Sequence, residues 1–216
     1  MSGGDYHATR LAQDPRREAV WQSLWRFYFS RLIGSSDCVL DVGAGWGSFI
    51  NQVQAAKRIA LDTWEGLPHH VDAGVRAVVA PLTEIDFLED RSVDFAFASN
   101  VFEHTTQEDL AIFLRKLRTK LTPTGTINIL QPNYRYCYRE YFDDYTHRCV
   151  YSHVSLSDFL NAHGYDVVEC HPRFLPLTVK SRLPTWPFLV WLYLRSPLKP
   201  FGRQMLLRAR PRPLDP

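Results

Sequence analysis

Short apolar runs alternate with amphipathic stretches along most of the chain. Five runs have the length of buried strands, and they span Cys38–Val42, 58–61, 76–80, 93–98 and 126–130. Apolar residues at helical spacing lie before and between these runs. The first such helix begins at Asp14-Pro15, where an acid at the N-cap precedes a proline in the first turn. Strands that alternate with helices predict parallel βαβ units and a doubly wound sheet.

Turn and cap signals set the expected boundaries of the other elements. We predict a helix from the end of the first strand to about Ala55, and strands at 165–170 and 174–179. Thr105 and Glu108 have the spacing of a capping box, as do Ser155 and Asp158 three residues apart. The remaining signals are a helix end near Leu121, a turn at 123–125 and a helix stop at Gly164.

The composition is typical of one globular α/β domain. The chain has 216 residues, of which 45% are hydrophobic and 22% charged. Four scattered cysteines show no C-x-x-C spacing, so we expect reduced thiols. The polar N-terminus predicts a cytoplasmic protein. We divide the chain into an N-terminal helical cap (1–34), a catalytic domain (35–182) and a basic aromatic C-terminal tail (183–216).

The turn after the first strand is rich in glycine. Gly43, Gly45 and Gly47 occupy alternate positions, whereas a dinucleotide fingerprint G-x-G-x-x-G would place its third glycine at Ser48. Asp41 lies two residues before the first glycine. A carboxylate there disfavours pyrophosphate and favours a cationic ligand. The α-ammonium and sulfonium of S-adenosylmethionine fit this requirement, so a nicotinamide oxidoreductase is the least favoured alternative.

A second acid, Asp62, ends the second predicted strand, 15 residues after Gly47. A carboxylate at this place can accept hydrogen bonds from both ribose hydroxyls of an adenosine ligand. Asp62 is therefore compatible with both S-adenosylmethionine and a nicotinamide dinucleotide, and it does not discriminate between these two cofactors.

Four motifs resemble, in order and spacing, those of class I S-adenosylmethionine-dependent methyltransferases. They read V-L-D-V-G-A-G-W-G-S-F, A-L-D, S-V-D-F-A-F-A-S-N-V-F-E-H and L-T-P-T-G-T-I-N-I. The resemblance covers about residues 35–180 and implies a seven-stranded sheet of order 3-2-1-4-5-7-6 whose last strand is antiparallel. It implies cofactor contacts at Asp41, Gly43, Ala44, Gly45, Gly47, Asp62, Ser99 and Asn100. Relatives often carry an acid after the third strand, but here the backbone near Leu82 and Thr83 would hold the adenine.

Polar residues after the fourth and fifth strands are candidates for the acceptor side. Glu103-His104 follows the fourth strand, and a tyrosine-rich stretch at 134–148 follows the fifth. Within that stretch, Asp144 precedes His147 by three residues and could orient it as a general base. The alternatives are that His147 only caps a helix or fills a polar gap, and that His104 is the base. Since the sequence offers no tight ligand spacing, we predict no metal site.

The C-terminal part of the chain is strongly basic and aromatic. From Arg173 onward there are nine Lys/Arg and one acid, so this part carries +8 and residues 1–172 carry −6. Nine consecutive apolar or aromatic residues run from Trp186 to Leu194. The combination predicts peripheral contact of residues 184–212 with the inner face of a membrane. A helix packed on the body is the alternative.

These observations favour a methyltransferase that acts on an oxygen of a sugar or related small molecule, with a surface polysaccharide or lipid-linked glycan as a possible acceptor. A quinone or natural-product O- or C-methyltransferase is the first alternative. A non-catalytic cofactor-binding protein that acts through its tail is the second. Because residues 1–172 are acidic, we expect no nucleic-acid partner. The sequence makes no prediction of oligomeric state.

Overall fold

A computed structural model describes residues 14–176 and 185–213. Numbered in chain order, the helices are α1 Pro15–Phe27, α2 Gln107–Lys120, α3 Tyr134–Cys137, α4 His153–Ala162 and α5 Pro187–Arg195. The strands are β1 Cys38–Val42, β2 Lys57–Asp62, β3 Val75–Val79, β4 Val93–Ser99, β5 Leu121–Pro132, β6 Tyr165–Pro176 and β7 Gly202–Pro211. The chain divides into two compact units, each made of two segments of chain. The first unit contains the chain up to Leu82 and, later in the sequence, α5. The second contains the chain from Thr83 to the end of β6 and, later in the sequence, β7.

The first unit contains a parallel ladder of three strands. All five residues of β1 are buried, as expected for a strand covered on both faces. Strand β1 pairs with β2 in the register Leu40–Ile59, and β2 pairs with β3 in the register Ala60–Ala77. The N-cap predicted at Asp14 is confirmed, since its carboxylate accepts a 2.9 Å hydrogen bond from the main-chain N–H of Arg16.

The second unit contains a mixed ladder of four strands. Strand β4 pairs in parallel with β5, and β7 lies antiparallel between β5 and β6. Phe95 and Phe97 of β4 are buried, and so is Leu207 of β7. Burial of this apolar surface is the main term that stabilises such a unit.

The strand order in the sheet is β3-β2-β1-β4-β5-β7-β6. This order and the antiparallel β7 confirm the predicted α/β fold class of a seven-stranded, mostly parallel sheet. Among the described helices, none is both long and apolar enough to cross a membrane.

Three local predictions are wrong. The helix expected after the glycine loop is a single 3-10 turn, Ile50–Gln52, because the positive-φ glycines before it and the extended Val53 after it leave no room for α-helix. Helix α2 is capped by Thr106, whose hydroxyl accepts from the N–H of Asp109 at 3.0 Å. The capping box of α4 uses Ser152, three residues before the predicted cap. In α2 the cap lies one residue after the predicted one, and in α4 it lies three residues before; in each case the hydroxyl directly preceding the first helical residue accepts from a free N–H group.

The last strands also differ from the prediction. Residues 123–125, expected to form a turn, lie inside β5 at a register irregularity opposite β4. The two strands expected at 165–170 and 174–179 are one strand, β6, and residues 177–179 lie outside the described residues. The antiparallel strand is β7, within the segment 183–216 that the sequence sets apart as a tail. Its run Met205–Leu207 is buried, as a strand between two neighbours requires.

Candidate active site

The glycine loop of the first unit has a backbone conformation that only glycine adopts readily. Gly43, Gly45 and Gly47 have φ values of 69°, 53° and 70°, which L side chains rarely adopt. The N–H groups of Gly43 and Ala44 donate to the carbonyl of Leu61 at 2.7 and 3.1 Å, which fastens the loop to β2. The loop therefore needs its glycines for conformation.

Gly47 is also required for space. A Cβ built on it would lie 3.0 Å from Nδ2 of Asn51 and 3.1 Å from the carbonyl oxygen of His70. Because one of these atoms is backbone, a side chain would have to displace the neighbouring loop. The close approach therefore fixes the packing of the glycine loop against the segment around His70.

Asp41 and Asp62 place two carboxyl groups beside the glycine loop. Asp41 is only 3% exposed. Burial, and secondarily the charge of Asp62, raise the pKa of Asp41 well above its usual value. A bound cation would offset both effects by stabilising the carboxylate. The carboxylates of Asp41 and Asp62 thus fit the cationic S-adenosylmethionine that the sequence predicts as cofactor.

Asp62 holds two neighbouring segments together. Its Oδ2 accepts from the N–H of Gly45 at 2.8 Å, and its Oδ1 accepts from the N–H of Trp64 at 2.9 Å. Each carboxylate oxygen can accept a further hydrogen bond. The predicted ribose contact therefore stays a prediction that this geometry permits.

An aromatic cluster that is not among the residues predicted from sequence lies beside the loop. The rings of Trp46 and Trp64 lie 4.7 Å apart, and His70 lies 4.4 Å from Trp46 and stacks on Trp64 at 4.9 Å. The available signal was the position of the two tryptophans, one inside the glycine loop and one two residues after Asp62.

The other residues predicted to contact the cofactor lie at strand ends. Leu82, in the first unit, and Thr83, in the second, form a turn beyond β3. In the second unit, Asn100 has a φ of 54°, donates to Oγ of Ser99 at 3.1 Å and accepts from Nε2 of Gln204 at 2.9 Å. This network fixes the end of β4, while the cofactor roles of these residues stay predictions.

The second unit brings together three groups that we call the Glu–His cluster: Glu103, His104 and His147. One ligand atom from each lies within 4.8 Å of the others. Nε2 of His104 is 4.0 Å from Oε1 of Glu103, and the two imidazole centroids are 4.8 Å apart. The ring of Tyr141 packs 4.4 Å from His147. The two candidate histidines are therefore neighbours, although 43 residues separate them in the chain.

A hydrogen-bonded chain leads from Asp144 to His104 through Thr146, a residue that no sequence motif indicates. The hydroxyl of Thr146 donates to Oδ1 of Asp144 at 2.6 Å and lies 3.0 Å from Nδ1 of His104. Since the hydroxyl proton is directed at the carboxylate, its oxygen accepts from Nδ1–H of His104. This tautomer leaves the lone pair on Nε2, the nitrogen that faces Glu103.

Burial sets the charge of the Glu–His cluster. The Glu103 side chain is fully buried, which raises its pKa to about 8. Burial, and next the neighbouring His147, lower the pKa of His104 to about 4, so its imidazole is neutral at pH 7. Burial also acts to raise the pKa of Asp144, but hydrogen bonds from Thr146 outweigh it and lower that pKa. The cluster is thus poor in positive charge.

Main-chain hydrogen bonds hold the tyrosine-rich stretch against Glu103. The N–H groups of Arg148 and Cys149 donate to the carbonyl of Glu103 at 2.7 and 3.1 Å. The hydroxyl of Tyr141 donates to the carbonyl of Cys149 at 2.5 Å. These bonds hold the segment that carries His147 close to Glu103.

Three of the nine basic residues in the C-terminal part are paired with acids within the second unit. Arg203 pairs with Glu140 at 2.9 Å, Arg208 with Glu169 at 2.6 Å and Arg212 with Asp166 at 2.7 Å. These pairs reduce the charge on which the predicted membrane contact depends.

Helix α5 is partly packed and partly exposed. It contacts α1 within the first unit, as the packed alternative expects. Trp186 and Phe188, at its start, are nonetheless 70% and 65% exposed. Lys180 and Arg182 lie outside the described residues.

Known proteins share this fold. A crystal structure of an S-adenosylmethionine-dependent methyltransferase from Archaeoglobus fulgidus has a TM-score of 0.68 at 20% identity, covering 96% of this chain and 98% of that one. The 1,6-didemethyltoxoflavin-N1-methyltransferase of Burkholderia thailandensis, solved with S-adenosylhomocysteine, has a TM-score of 0.61 at 19% identity. The match covers 98% of this chain and 85% of that one.

Sequence comparison gives a local relative and a family. The uncharacterized protein Rv1509 of Mycobacterium tuberculosis strain H37Rv is 35% identical over 71 residues. That stretch is 33% of this chain and spans about a quarter (24%) of the relative. The family model described as a methyltransferase domain matches residues 14–170, which is most of the chain. The chain therefore belongs to the methyltransferase-domain family.

Proposed function

We propose that this protein is an S-adenosylmethionine-dependent methyltransferase that methylates a hydroxyl oxygen of a sugar or related small molecule. The observation that carries the proposal is the Glu–His cluster, because a hydroxyl acceptor must lose its proton as it is methylated. Family membership and the acidic, glycine-lined loop support S-adenosylmethionine as the cofactor. When bound, this cofactor supplies a methyl group activated by a sulfonium.

The chain's own residues have two tasks in this proposal. Asp41 and Asp62 neutralise the positive charge of the cofactor, and the glycine loop lets the backbone approach it closely. The Glu–His cluster, with Asp144 positioning His104 through Thr146, receives the acceptor hydroxyl and assists the loss of its proton. Positioning matters because transfer from a sulfonium is a direct displacement that requires alignment.

The tyrosine-rich stretch supports an acceptor with a flat apolar face and polar edges. Tyr138, Phe142 and Tyr145 are 55%, 57% and 64% exposed. Exposed aromatic faces next to polar groups are typical of sites for rings that carry hydroxyls. A sugar fits this description, and so does the phenolic ring of a quinone precursor or natural product, which is the second candidate acceptor.

Transfer of labelled methyl groups separates these candidates. The full chain is incubated with methyl-labelled cofactor and either a sugar and glycan fraction or a phenolic fraction of the source cells. We expect label in the glycan fraction, recovered after acid hydrolysis as an O-methyl sugar by mass spectrometry. Label only in the phenolic fraction would favour the second candidate. Cofactor binding without transfer to either fraction would favour a non-catalytic cofactor-binding protein.

Contact with a membrane surface is proposed for the start of α5. Trp186 and Phe188 expose large aromatic surfaces, and Arg195 and Lys199 lie over the rings of Trp191 and Tyr193 at 4.9 and 5.0 Å. Aromatic residues next to cations are typical of interfacial segments. A peripheral, cytoplasmic location at the inner face of a membrane follows as part of this proposal.

We expect the full chain to cosediment with anionic phosphatidylglycerol vesicles and to retain part of this binding at high salt. Because aromatic burial does not depend on salt, replacing both Trp186 and Phe188 with serine should abolish the retained part. Val154→Ser, at an exposed position of α4, is the matched control and should bind as the wild type does. A wild-type chain that stays in the supernatant at low salt would contradict the proposal.

A further inference from the structure

We infer that Glu103, His104 and His147 together bind one divalent transition-metal ion, of the class that Zn²⁺, Co²⁺ and Fe²⁺ represent. This inference rests on the acceptor site proposed above and adds a bound metal ion to that site. The sequence predicts no metal site, because the three residues have no ligand spacing along the chain.

The geometry of the cluster is close to that of a metal site. One ligand atom from each of the three residues lies within 4.8 Å of the others. Atoms bound to one metal at about 2.1 Å are roughly 3.0 to 3.5 Å apart. For all three to bind one ion, the ligand atoms would have to approach one another by about 1 to 2 Å.

The unsatisfied carboxyl of Glu103 is the second, independent observation. Its side chain is fully buried, and neither oxygen has a hydrogen-bond partner among the described residues. Buried polar groups in folded proteins are nearly always satisfied, and buried charges are paired or bound to metals. A cation at the cluster would satisfy this carboxylate where the protein itself does not.

The hydrogen bonds of His104 are those of a metal ligand. Nδ1–H donates to Thr146, which is oriented in turn by Asp144, and Nε2 keeps its lone pair toward Glu103. Metal-binding histidines characteristically donate their second nitrogen to an oriented oxygen, which fixes the tautomer and the ring. Thr146 and Asp144 are thus positioning residues behind a ligand.

The donor set selects the class of metal. Two imidazoles and one carboxylate suit Zn²⁺, Fe²⁺ and Co²⁺, whereas Mg²⁺ and Ca²⁺ prefer oxygen ligands alone. Three protein ligands leave coordination positions for a small molecule. An acceptor hydroxyl in such a position would become more acidic, so His147, predicted from sequence as the base, would act as a ligand.

Direct metal binding to the untagged full chain tests the inference. After chelator treatment and dialysis, Co²⁺ and Zn²⁺ are titrated without cofactor or acceptor, and bound metal is measured by elemental analysis, calorimetry and the visible spectrum of Co²⁺. We expect one ion per chain. Glu103→Gln and His147→Ala should each weaken binding at least tenfold.

His163→Ala is the matched control, because His163 lies at the end of α4 and its ring stacks on Phe159 at 4.2 Å. This variant should bind metal as the wild type does, and circular dichroism should show that all variants are folded. Glu103→Gln keeps the shape of the side chain, so it tests ligation even if His147→Ala does not fold.

Two results would overturn the inference: no bound metal in the wild type, or binding unaffected by both cluster variants. A chain that methylates an acceptor yet binds no metal would leave the proposed function intact and remove this site. A chain that binds one ion at the cluster but methylates nothing would keep the site and remove the proposed function.

Discussion

His104→Ala should reduce the turnover number for methyl transfer about 10²-fold or more, with the affinity for S-adenosylmethionine little changed. A 10²-fold loss corresponds to about 2.7 kcal/mol of transition-state stabilisation, a usual contribution for a group that handles a proton. The effect should be on kcat more than on KM, since the imidazole acts when the acceptor hydroxyl loses its proton. His147→Ala should have an effect of the same order, because the two rings belong to one cluster.

The double variant distinguishes a joint role from two separate ones. If His104 and His147 act on the same proton or ion, removing both should reduce turnover little more than removing either one. His163→Ala is the control for loss of an imidazole elsewhere in the second unit, and its turnover should match the wild type. Unchanged turnover in both single variants would exclude the cluster from the reaction.

The first five strands could be predicted because each contains a short, mainly apolar run in the sequence. The run Cys38–Val42 is apolar except for Asp41, and all five of its residues are buried in β1. Helix caps were less predictable, since several hydroxyls compete within a few residues. Thr105 was expected to cap α2, but its hydroxyl donates to the carbonyl of Phe102, and Thr106 supplies the cap. Only the path of the chain into the helix decides between them.

The C-terminal strand β7 could not be predicted from the local sequence, because it depends on pairing with strands that are distant in the chain. Arg208 and Arg210 give the segment the appearance of a basic tail. In the folded chain, β7 fits between β5 and β6, and Arg208 meets Glu169 of the neighbouring strand. The charge balance of that segment depends on acids about 40 residues earlier, which composition alone does not associate with it.

The same limit applies to the acceptor side. Glu103 and His104 are adjacent in the chain and stood out as polar residues after a strand. Their proximity to His147 depends on main-chain bonds from Arg148 and Cys149 to the carbonyl of Glu103, which no side-chain pattern reveals. The cofactor loop differs, because its chemistry lies within a few consecutive residues of one strand and turn.

Gly47→Ala should weaken binding of S-adenosylmethionine and of its demethylated product at least tenfold, and NAD should not bind to either protein. Alanine at a φ of 70° costs about 1–2 kcal/mol. Its Cβ would also press on Asn51 and on the carbonyl of His70, at 3.0 and 3.1 Å. The loop must shift to relieve this contact, and a shifted loop no longer offers the close backbone approach that the cofactor requires.

Gly74→Ala separates backbone strain from damage to the cofactor loop. Gly74 also has a positive φ, 89°, but a Cβ there meets nothing nearer than Nη2 of Arg58 at 3.5 Å. Both variants should lose stability in urea unfolding through the unfavourable φ, about 1 kcal/mol or more. In calorimetry, only Gly47→Ala should lose cofactor affinity. Equal cofactor affinity in the two variants would mean that the glycine loop does not hold the cofactor. Tight binding of NAD would show that the acidic loop is not selective for a cationic ligand.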